Sequence, residues 1–467
     1  MPHVRILRHY VHTPFLFLAG AEIALVALNA YLGHLLWRGE WPRTENFLSL
    51  ALGFGAVIVA AMSAMGVYES RVREGFTGMT LRTAVAIFLL GTILFTVLFY
   101  ALPGMVPHRG VLVISIFLSF FSLLLFRWIV FQFLSEDALK SRIVVLGTGG
   151  RALKIATRMR RQADQRAFIL VGFINLRDED NQVRQHGARI IGKPDSMLAY
   201  CRDNAVDEIV VAVEGLDEDK SVPVDQLVDC RLSGIKVCDV QEFFEREACK
   251  LDVDILRPTW LAFSDGFVTN RWRSINKRIF DLITASVMLI FTLPVMILTA
   301  LCIYLEMRGR HSVLYRQERV GRNGVNFRVY KFRSMRASVS DNESEFAAHN
   351  DPRITRVGRF IRKTRIDELP QLFNVLLGEM SFVGPRPEQP VHVERFAREI
   401  PYYDQRHRIK PGITGWAQLC FPYGTTVADA KEKLQYDLYY LKNQSLFLDL
   451  VIMMQTIEVV LVGEGSR

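Results

Sequence analysis

Two adjacent carboxylates, Asp367 and Glu368, follow three basic residues, Arg362, Lys363 and Arg365. Transfer of a phosphorylated group needs a nucleophile or base at phosphorus, and it needs cations that offset the charge of the phosphates. An acidic pair beside arginines and a lysine supplies both kinds of group. Taken alone, the same residues also fit a solvated cluster of salt bridges on a protein surface. The pattern by itself therefore leaves both interpretations open.

The residues around the acidic pair indicate how it is presented. Pro370 predicts that residues 367–369 lie at a turn or at the start of a helix, where anions are favoured. Residues 308–410 contain 21 Lys and Arg but only 12 Asp and Glu, an excess equal to the net charge of +9 of the whole chain. A basic region of this kind binds anionic lipid headgroups, a phosphorylated ligand or nucleic acid. We find no nucleic-acid motif, and arginines interleaved with glycines favour phosphate groups, so we expect no nucleic-acid partner.

Apolar runs of about 20 residues predict helices that are embedded in a membrane. In chain order, the five candidate runs are Phe15–Trp37, Phe47–Tyr68, Thr83–Leu102, Val111–Leu134 and Leu282–Leu305. The first run carries only Glu22 as a charge, the fourth carries only Arg127, and the other three are uncharged. The first four runs predict a four-helix transmembrane bundle at residues 1–135. Seven basic residues in the loops assigned inside, against three in those assigned outside, predict a cytoplasmic N-terminus and a cytoplasmic chain after residue 135.

The fifth run, Leu282–Leu305, has four basic residues before it, at 271, 273, 277 and 278, and four arginines after it, at 308, 310, 316 and 319. The same charge rule therefore assigns both of its flanks to the cytoplasm. Pro294 lies near its middle, where proline removes a backbone hydrogen bond and bends a helix. We expect a re-entrant membrane helix at residues 276–306 with its break at Pro294. A straight span is the alternative, because 24 helical residues rise about 36 Å.

Strands that alternate with helical stretches predict a Rossmann-like α/β domain at residues 136–262. The predicted strands lie at residues 142–149, 168–174, 208–213 and 234–240. The turn Gly147-x-Gly149-x-x-Ala152 is a degenerate dinucleotide fingerprint. A dinucleotide-binding domain carries an acid at the end of its second strand. Here the nearest acids, residues 178–180, lie a few positions after that point. Nucleotide binding and a role in assembly or regulation both stay open for this domain.

This order of domains also fits a membrane-bound nucleotide-sugar dehydratase or epimerase. Such enzymes of the short-chain reductase type need a Tyr-x-x-x-Lys pair, in which the lysine lowers the pKa of the tyrosine. None of the 14 tyrosines has a lysine four positions later. That alternative therefore lacks its acid–base pair, and a non-enzymatic polysaccharide assembly protein is the second alternative.

From about residue 276 onward the sequence resembles the bacterial sugar transferase family, which comprises polyprenyl-phosphate hexose-1-phosphate transferases. The resemblance covers nearly all of residues 276–467 through seven separated blocks that occur in order. The blocks are KRIFD at 277–281, QERVG at 317–321, YKFRSM at 330–335, NDPRIT at 350–355, RKTRIDELPQ at 362–371, SFVGPRP at 381–387 and KPGITGWAQ at 410–418. A membrane bundle followed by a Rossmann-like domain also resembles the long members of the family. The expected fold is thus a membrane helical bundle, a Rossmann-like domain, and a mostly α-helical catalytic domain at residues 263–467.

The resemblance implies a transfer of hexose 1-phosphate from a UDP-sugar to undecaprenyl phosphate, which releases UMP and starts exopolysaccharide or O-antigen synthesis. Asp367 would attack the β-phosphorus, and Glu368 would hold Mg²⁺ or assist proton transfer. Asp367 and Glu368 are thus both the expected catalytic residues and the expected Mg²⁺ ligands. An oxygen-rich site of this kind suits Mg²⁺ where two negatively charged reactants meet.

The resemblance also implies which other residues bind substrate or phosphate groups. They are Arg319, Lys331, Arg333, Arg362, Arg386 and Asp449, with Asp437 as a second late acid. The expected location is the inner bacterial membrane, with membrane lipids in contact and the catalytic domain in the cytoplasm. A homodimer is an expected assembly. Glucose, galactose and N-acetylated hexoses all remain candidates for the sugar.

Overall fold

The computed structural model describes residues 3–6, 9–42, 47–65, 76–91, 109–133, 140–158, 168–176, 183–184, 187, 189–213, 222–264, 266–267, 271–336, 353–421, 424 and 426–462. Apart from Leu7–His9, its contacts divide the chain into two compact units that change over between Cys249 and Lys250. The first unit contains the N-terminal helices and a parallel sheet, and the second contains the acidic pair. Residues 250–262, which the sequence analysis assigned to the middle domain, group with the second unit.

Long apolar helices form the N-terminal part of the first unit. Two short strands, β1 (His3–Ile6) and β2 (His9–His12), precede helices α1 (Thr13–Arg38), α2 (Phe47–Ala64), α3 (Phe76–Ala84, continued by a π-helix at Val85–Gly91) and α4 (Arg109–Phe133). In the described chain, three helices are long and apolar enough to cross a membrane, namely Leu16–Arg38, Gly110–Val130 and Arg271–Glu306. The expected membrane character is therefore confirmed. Parts of the predicted runs Phe47–Tyr68 and Thr83–Leu102 lie outside the described residues, so the four-span topology stays a prediction.

The two lone charges of the apolar runs form an ion pair with each other. Arg127 Nε and Nη2 donate to Oε1 and Oε2 of Glu22 at 2.5 and 2.9 Å, and both side chains are fully buried. Arg127 also donates to Thr83 Oγ1 at 3.3 Å and lies 3.6 Å from Met62 Sδ. Glu22, Arg127, Thr83 and Met62 come from α1, α4, α3 and α2, respectively. A charge that is costly on a single helix in lipid is thus paired in the centre of the bundle.

We expect Glu22→Leu or Arg127→Leu alone to destabilise this bundle by about 3–5 kcal/mol, because each leaves an uncompensated buried charge. The double variant Glu22→Leu/Arg127→Leu should recover most of that loss. Thermal unfolding of the detergent-solubilised protein measures the effect, with exposed Arg38→Leu as the control. A double variant that is as unstable as the sum of both single variants would contradict the pairing.

The rest of the first unit is a doubly wound α/β domain. Its elements are β3 (Ser141–Leu146), α5 (Gly150–Arg158), β4 (Phe168–Ile174), β5 (Ile190–Ile191), α6 (Met197–Asp203), β6 (Glu208–Val211), α7 (Val224–Leu232), β7 (Lys236–Asp239) and α8 (Val240–Glu247). The strands are all parallel, in the order β5-β4-β3-β6-β7. The four predicted strands are confirmed. The two-residue strand β5 was not predicted, since it is too short to carry a hydrophobic period.

The second unit is mostly helical. Its helices are α9 (Pro258–Phe263), α10 (Arg271–Glu306), α11 (Arg356–Lys363), α12 (Gln371–Leu377), α13 (Pro390–Glu399), α14 (Trp416–Cys420), α15 (Val427–Asn443) and α16 (Leu446–Val462). Strands β8 (Leu314–Val320) and β9 (Asn326–Phe332) form an antiparallel hairpin, and β10 (Ser381–Val383) pairs in parallel with β11 (Gly412–Thr414). In the described residues of this unit, 3₁₀ turns lie at Arg322–Gly324, Ile366–Glu368 and Tyr403–Arg408. The mostly α-helical fold expected for this region is confirmed.

Helix α10 continues from Arg271 to Glu306 with Pro294 inside it. The expected separation into two helices at Pro294 is not seen. A proline removes a single backbone hydrogen bond, and the turns on either side of Pro294 retain their helical conformation. The middle of the helix exposes Ile290, Phe291, Ile297 and Leu298 by 61–70% of their surface. The helix thus keeps an uncovered apolar surface around the proline.

Both ends of α10 contact other helices of the second unit. Near its start, the guanidinium of Arg278 donates to the carbonyls of Val375 and Leu376 at 2.6 and 2.8 Å, at the C-terminal end of α12. At its end, the carboxylate of Glu306 accepts hydrogen bonds from the first two backbone N–H groups of α11, at 2.8 and 3.1 Å. These contacts attach the long apolar helix to the elements on either side of the acidic pair.

Candidate active site

The acidic pair lies on a short turn between two helices. Helix α11 begins after Thr355, whose hydroxyl accepts a hydrogen bond from Gly358 N at 2.9 Å. The helix ends at Lys363, and Arg365 then adopts a left-handed conformation with φ of 58°. The 3₁₀ turn Ile366–Glu368 follows, and Pro370 precedes α12. The predicted turn at residues 367–369 is confirmed, because the left-handed residue ends one helix and the proline begins the next.

Glu368 is surrounded by cations. Its Oε1 atom lies 3.0 Å from Lys331 Nζ, 3.3 Å from Arg386 Nη2 and 3.8 Å from Arg365 Nη1. Burial by itself would raise the pKa of Glu368, but Lys331, Arg386 and Arg365 together hold it well below its usual range. Glu368 is therefore ionised at any physiological pH, and it orders the cations around it.

Asp367 has the opposite environment, although it is the adjacent residue. Its Oδ1 atom is buried and has no hydrogen-bond partner among the described residues. Burial, and then the charge of Glu368, raise the pKa of Asp367 to about 6, although Lys331, Arg365 and Arg362 partly oppose this. Two neighbouring carboxylates whose environments separate their pKa values are typical of catalytic pairs, in which each acid has its own role.

Four of the predicted phosphate-binding residues lie near this pair. Arg319, Lys331 and Arg386 line one small cavity together with Gln371. The guanidinium of Arg362 contacts Met335 Sδ at 3.9 Å and acts on the pKa of Asp367. The structure therefore brings these four basic residues together around the acidic pair.

Arg333 lies away from that group. Its Nε donates to the carbonyl of Ser312 at 2.8 Å, and its guanidinium covers the ring of Tyr315 at 5.7 Å. Within the described chain, the structure gives it no hydrogen bond or ion pair to Asp367 or Glu368. Its expected contact with phosphate stays a prediction.

The two late acids are both buried and both paired. Asp449 accepts a hydrogen bond from Tyr440 Oη at 2.6 Å and lies 2.8 Å from Lys277 Nζ. Asp437 lies 2.9 Å from Arg406 Nη2. Asp449 thus joins α16 to the start of α10, and Asp437 holds an arginine that the sequence analysis did not single out. Neither acid contacts the acidic pair in the described structure.

Asn374 is a further residue that the sequence analysis missed. It is fully buried on α12, its Oδ1 accepts from Tyr330 N at 3.0 Å, and its Nδ2 donates to the carbonyl of Arg328 at 2.8 Å. These bonds attach α12 to strand β9 beside Lys331. A buried amide in a helix follows no sequence pattern, since two of its partners are backbone atoms 44 and 46 residues away.

The SFVGPRP and KPGITGWAQ blocks meet backbone to backbone. Gly384 N donates to Thr414 O, and Gly412 N donates to Pro385 O, each at 2.9 Å. A Cβ atom on Gly412 would collide with the backbone of Gly384, and one on Gly415 would collide with the carbonyl of Gly384. The glycines of these two blocks are therefore required by close approach. The contact fixes the backbone just before Arg386.

The donor set permits a Mg²⁺ ion but no larger metal cage. Among the residues that the structure describes, no group of three or more His, Cys, Asp or Glu side chains could hold a metal. Mg²⁺ usually takes only one or two protein carboxylates beside water and substrate phosphates. The unpartnered Oδ1 of Asp367 beside Glu368 fits that requirement.

Comparisons with known proteins agree with this geometry. A family model described as "Bacterial sugar transferase" matches residues 272–463. A Bacillus subtilis (strain 168) protein is 49% identical to this chain over 130 residues. The match covers 28% of this chain and 72% of that protein, whose name proposes an undecaprenyl-phosphate N-acetylgalactosaminyl 1-phosphate transferase. The chain belongs to the bacterial sugar transferase family. A second family model, described as "CoA-binding domain", matches residues 63–227 of this sugar transferase.

Two further relatives match a larger part of this bacterial sugar transferase. An Aeromonas hydrophila protein named UDP-N-acetylgalactosamine-undecaprenyl-phosphate N-acetylgalactosaminephosphotransferase is 39% identical over 280 residues, or 60% of this chain and 63% of that protein. A Komagataeibacter xylinus protein named undecaprenyl-phosphate glucose phosphotransferase is 36% identical over 329 residues, or 68% of this chain and 59% of that protein. The matches thus span about three fifths of the length of these two relatives.

The opposite environments of the two acids predict opposite effects on stability. The pKa of Asp367, about 6, lies above its ordinary value of 3.8, so its favourable contribution is lost as pH rises through 6. We expect Asp367→Asn to stabilise the protein by about 1–3 kcal/mol at pH 8, and by less at pH 5. Glu368→Gln should destabilise it at both pH values, because the lowered pKa keeps its contribution present above the ordinary value of 4.5.

Thermal unfolding of the purified protein at pH 5 and pH 8 measures both effects. Asp404→Asn, an exposed acid in the same unit, is the matched control. Equal losses of stability in Asp367→Asn and Glu368→Gln would show that the fold does not destabilise the charged form of Asp367.

Proposed function

We propose that this protein transfers a hexose 1-phosphate from a UDP-sugar to undecaprenyl phosphate and releases UMP. The observation that carries the proposal is the contrast within the acidic pair, where an unpartnered Asp367 oxygen lies beside a Glu368 neutralised by three cations. Membership of the bacterial sugar transferase family supports it. The names of the relatives support the classes of sugar donor and lipid acceptor.

The reaction that we propose has two displacement steps. In the first, an Asp367 oxygen attacks the β-phosphorus of the UDP-sugar, and the bond to the bridging oxygen breaks so that UMP leaves with the electron pair. The sugar phosphate is then held as an acyl phosphate on Asp367. In the second step, a phosphate oxygen of undecaprenyl phosphate attacks the same phosphorus and releases the Asp367 carboxylate. With a pKa of about 6, Asp367 is mostly ionised at neutral pH and is more nucleophilic than an ordinary carboxylate.

The surrounding cations would bind the diphosphate. Lys331 and Arg386 lie against Glu368, and Arg319 is their neighbour, so phosphate oxygens that bind against these side chains would meet three positive charges. Guanidinium groups bind phosphate oxygens in pairs and stabilise the charge that develops on a leaving phosphate. Asp367 and Glu368 would hold Mg²⁺, which when bound would offset the charge of the diphosphate.

The contacts of α10 support a position of the site at the cytoplasmic face of the membrane. Its two ends bind α12 and α11, which are separated in the chain only by the polar turn that carries the acidic pair. Segments that are so close in sequence, with no apolar run between them, lie on one side of a membrane. We therefore propose that α10 enters and leaves the same leaflet, with the exposed apolar residues around Pro294 in the lipid. The basic flanks assign that side to the cytoplasm.

The transferred sugar is a hexose or an N-acetylated hexose. Relatives at similar identity are named for different sugars, such as N-acetylgalactosamine, glucose and galactose. The product would start a repeat unit of an exopolysaccharide or an O-antigen.

We expect Asp367→Asn to abolish the release of UMP, because an amide neither attacks phosphorus nor forms an acyl phosphate. Purified protein is incubated with undecaprenyl phosphate and a panel of UDP-sugars, and UMP and labelled lipid are quantified. Asp404→Asn, which removes an exposed acid, should behave as wild type. Normal UMP release by Asp367→Asn would overturn the mechanism, and a keto-sugar product without lipid would indicate a dehydratase.

The topology of α10 has a separate test. In a background in which all six native cysteines are replaced, single cysteines at Ser274→Cys and His311→Cys, two exposed positions near its ends, should both be labelled only from the cytoplasmic side. A membrane-impermeant maleimide, applied to right-side-out and inside-out vesicles, makes the measurement. Labelling of the two positions from opposite sides would show a straight span.

A further inference from the structure

The loop that carries Arg386 is held by hydrogen bonds to four successive carbonyl groups. We define this loop as residues 384–389. Two backbone groups of neighbouring strands donate at 2.9 Å, Gly412 N to Pro385 O and Val320 N to Glu388 O. Two arginine side chains also donate, Arg406 Nη2 to Arg386 O at 3.0 Å and Arg319 Nη1 to Pro387 O at 3.2 Å. The loop thus depends on side chains from outside its own segment for its position.

Arg406 is the buried member of the two arginines. Only 6% of its surface is exposed, and it lies on the 3₁₀ turn Tyr403–Arg408. Its guanidinium lies 2.9 Å from Asp437 Oδ2 on α15, and its Nη1 donates to Tyr403 Oη at 2.7 Å. A buried arginine is costly unless its charge is paired and its donors are satisfied. Asp437 pairs with the charge and Tyr403 accepts from Nη1, so these two contacts orient the guanidinium plane, whereas Nε has no hydrogen-bond partner among the described residues.

Arg406 also contacts Arg386, whose own side chain contacts the acidic pair. Arg406 Nη2 binds the main-chain carbonyl of Arg386, while Arg386 Nη2 lies 3.3 Å from Glu368 Oε1. Pro385 and Pro387 restrict the backbone on either side, so a shift at the Arg386 carbonyl cannot be absorbed locally. A chain of direct contacts therefore runs from Asp437 through Arg406 to Arg386 and Glu368.

We propose that Arg406 is a positioning residue that holds the guanidinium of Arg386 against the acidic pair. This inference rests on the proposed function, in which Arg386 binds the diphosphate. Arg406 itself touches neither Asp367 nor Glu368 in the described structure, so it acts through Arg386. A misplacement of about 1 Å in a group that binds the reacting phosphate can cost about 100-fold in rate.

A double-mutant cycle on Arg386 and Arg406 tests this proposal with the full-length enzyme. We expect Arg406→Met to lower kcat/KM for the UDP-sugar by about 10- to 100-fold, as Arg386→Met does. In the Arg386→Met background, Arg406→Met should change kcat/KM by less than about 2-fold, because residues that act through one contact are not additive. Arg408→Met, on the same turn but exposed, is the matched control and should behave as wild type.

The conservative variant Arg406→Lys keeps the charge next to Asp437 but cannot also reach the carbonyl in the same fork geometry. Its kcat/KM should lie between those of the wild type and Arg406→Met. If Arg406→Met does not fold, the same cycle is made with Arg406→Lys. Thermal unfolding and the fraction of active enzyme are measured for each variant, so that a loss of folded protein is separated from a loss of positioning.

If the losses of kcat/KM caused by Arg386→Met and Arg406→Met multiply in the double variant, the proposal is overturned and Arg406 is a structural residue only. A normal KM together with a lower active fraction in Arg406→Met would do the same. A wild-type enzyme that releases no UMP with any UDP-sugar would instead contradict the proposed function, so the two failures are distinguishable.

Discussion

Neutralisation of Glu368 by three cations is the interaction on which the candidate site depends. Lys331 comes from strand β9, Arg365 from the turn of the acidic pair, and Arg386 from the loop after β10. A buried carboxylate is costly without partners, so these three segments have to converge for Glu368 to be ionised where it lies. Asn374, the glycine contacts and Arg406 all fix the segments that bring the cations there. Asp367 shares the same turn but its Oδ1 has no hydrogen-bond partner among the described residues, and the reactivity that we propose for it rests on that difference.

Membrane attachment imposes a second constraint, and buried charges meet it in two places. In the first unit, Glu22 and Arg127 satisfy each other inside an otherwise apolar bundle. In the second unit, Lys277 at the start of α10 pairs with Asp281 and Asp449 and so fastens the membrane helix to the catalytic fold. Asp449 resembles a family acid by sequence, and its buried pairing is consistent with a role in placing that helix. These ion pairs set positions, because a single unpaired member would be unstable where it lies.

Much of this architecture could be predicted without coordinates. The length of the apolar runs indicated the membrane helices, and the alternation of strands and helices indicated the parallel sheet that the structure contains. The turn at Asp367 was predictable from Pro370, since proline begins a helix for local reasons. The uninterrupted course of α10 through Pro294 was not predicted, because whether a proline breaks a helix or only bends it depends on packing on both sides.

The family resemblance, the acidic pair and the basic character of its surroundings were predictable before the fold was known, because they follow from residue types at fixed local spacing. Which basic residues contact the pair depends on the tertiary structure. Lys331, Arg386 and Arg319 converge there, whereas Arg333 stacks on Tyr315 and Asp449 binds Lys277 and Tyr440. It also separated the pKa values of two adjacent carboxylates, which the order Asp-Glu does not distinguish. The physical reason is that burial and the cations around a group come from distant segments, and no local pattern encodes their distance.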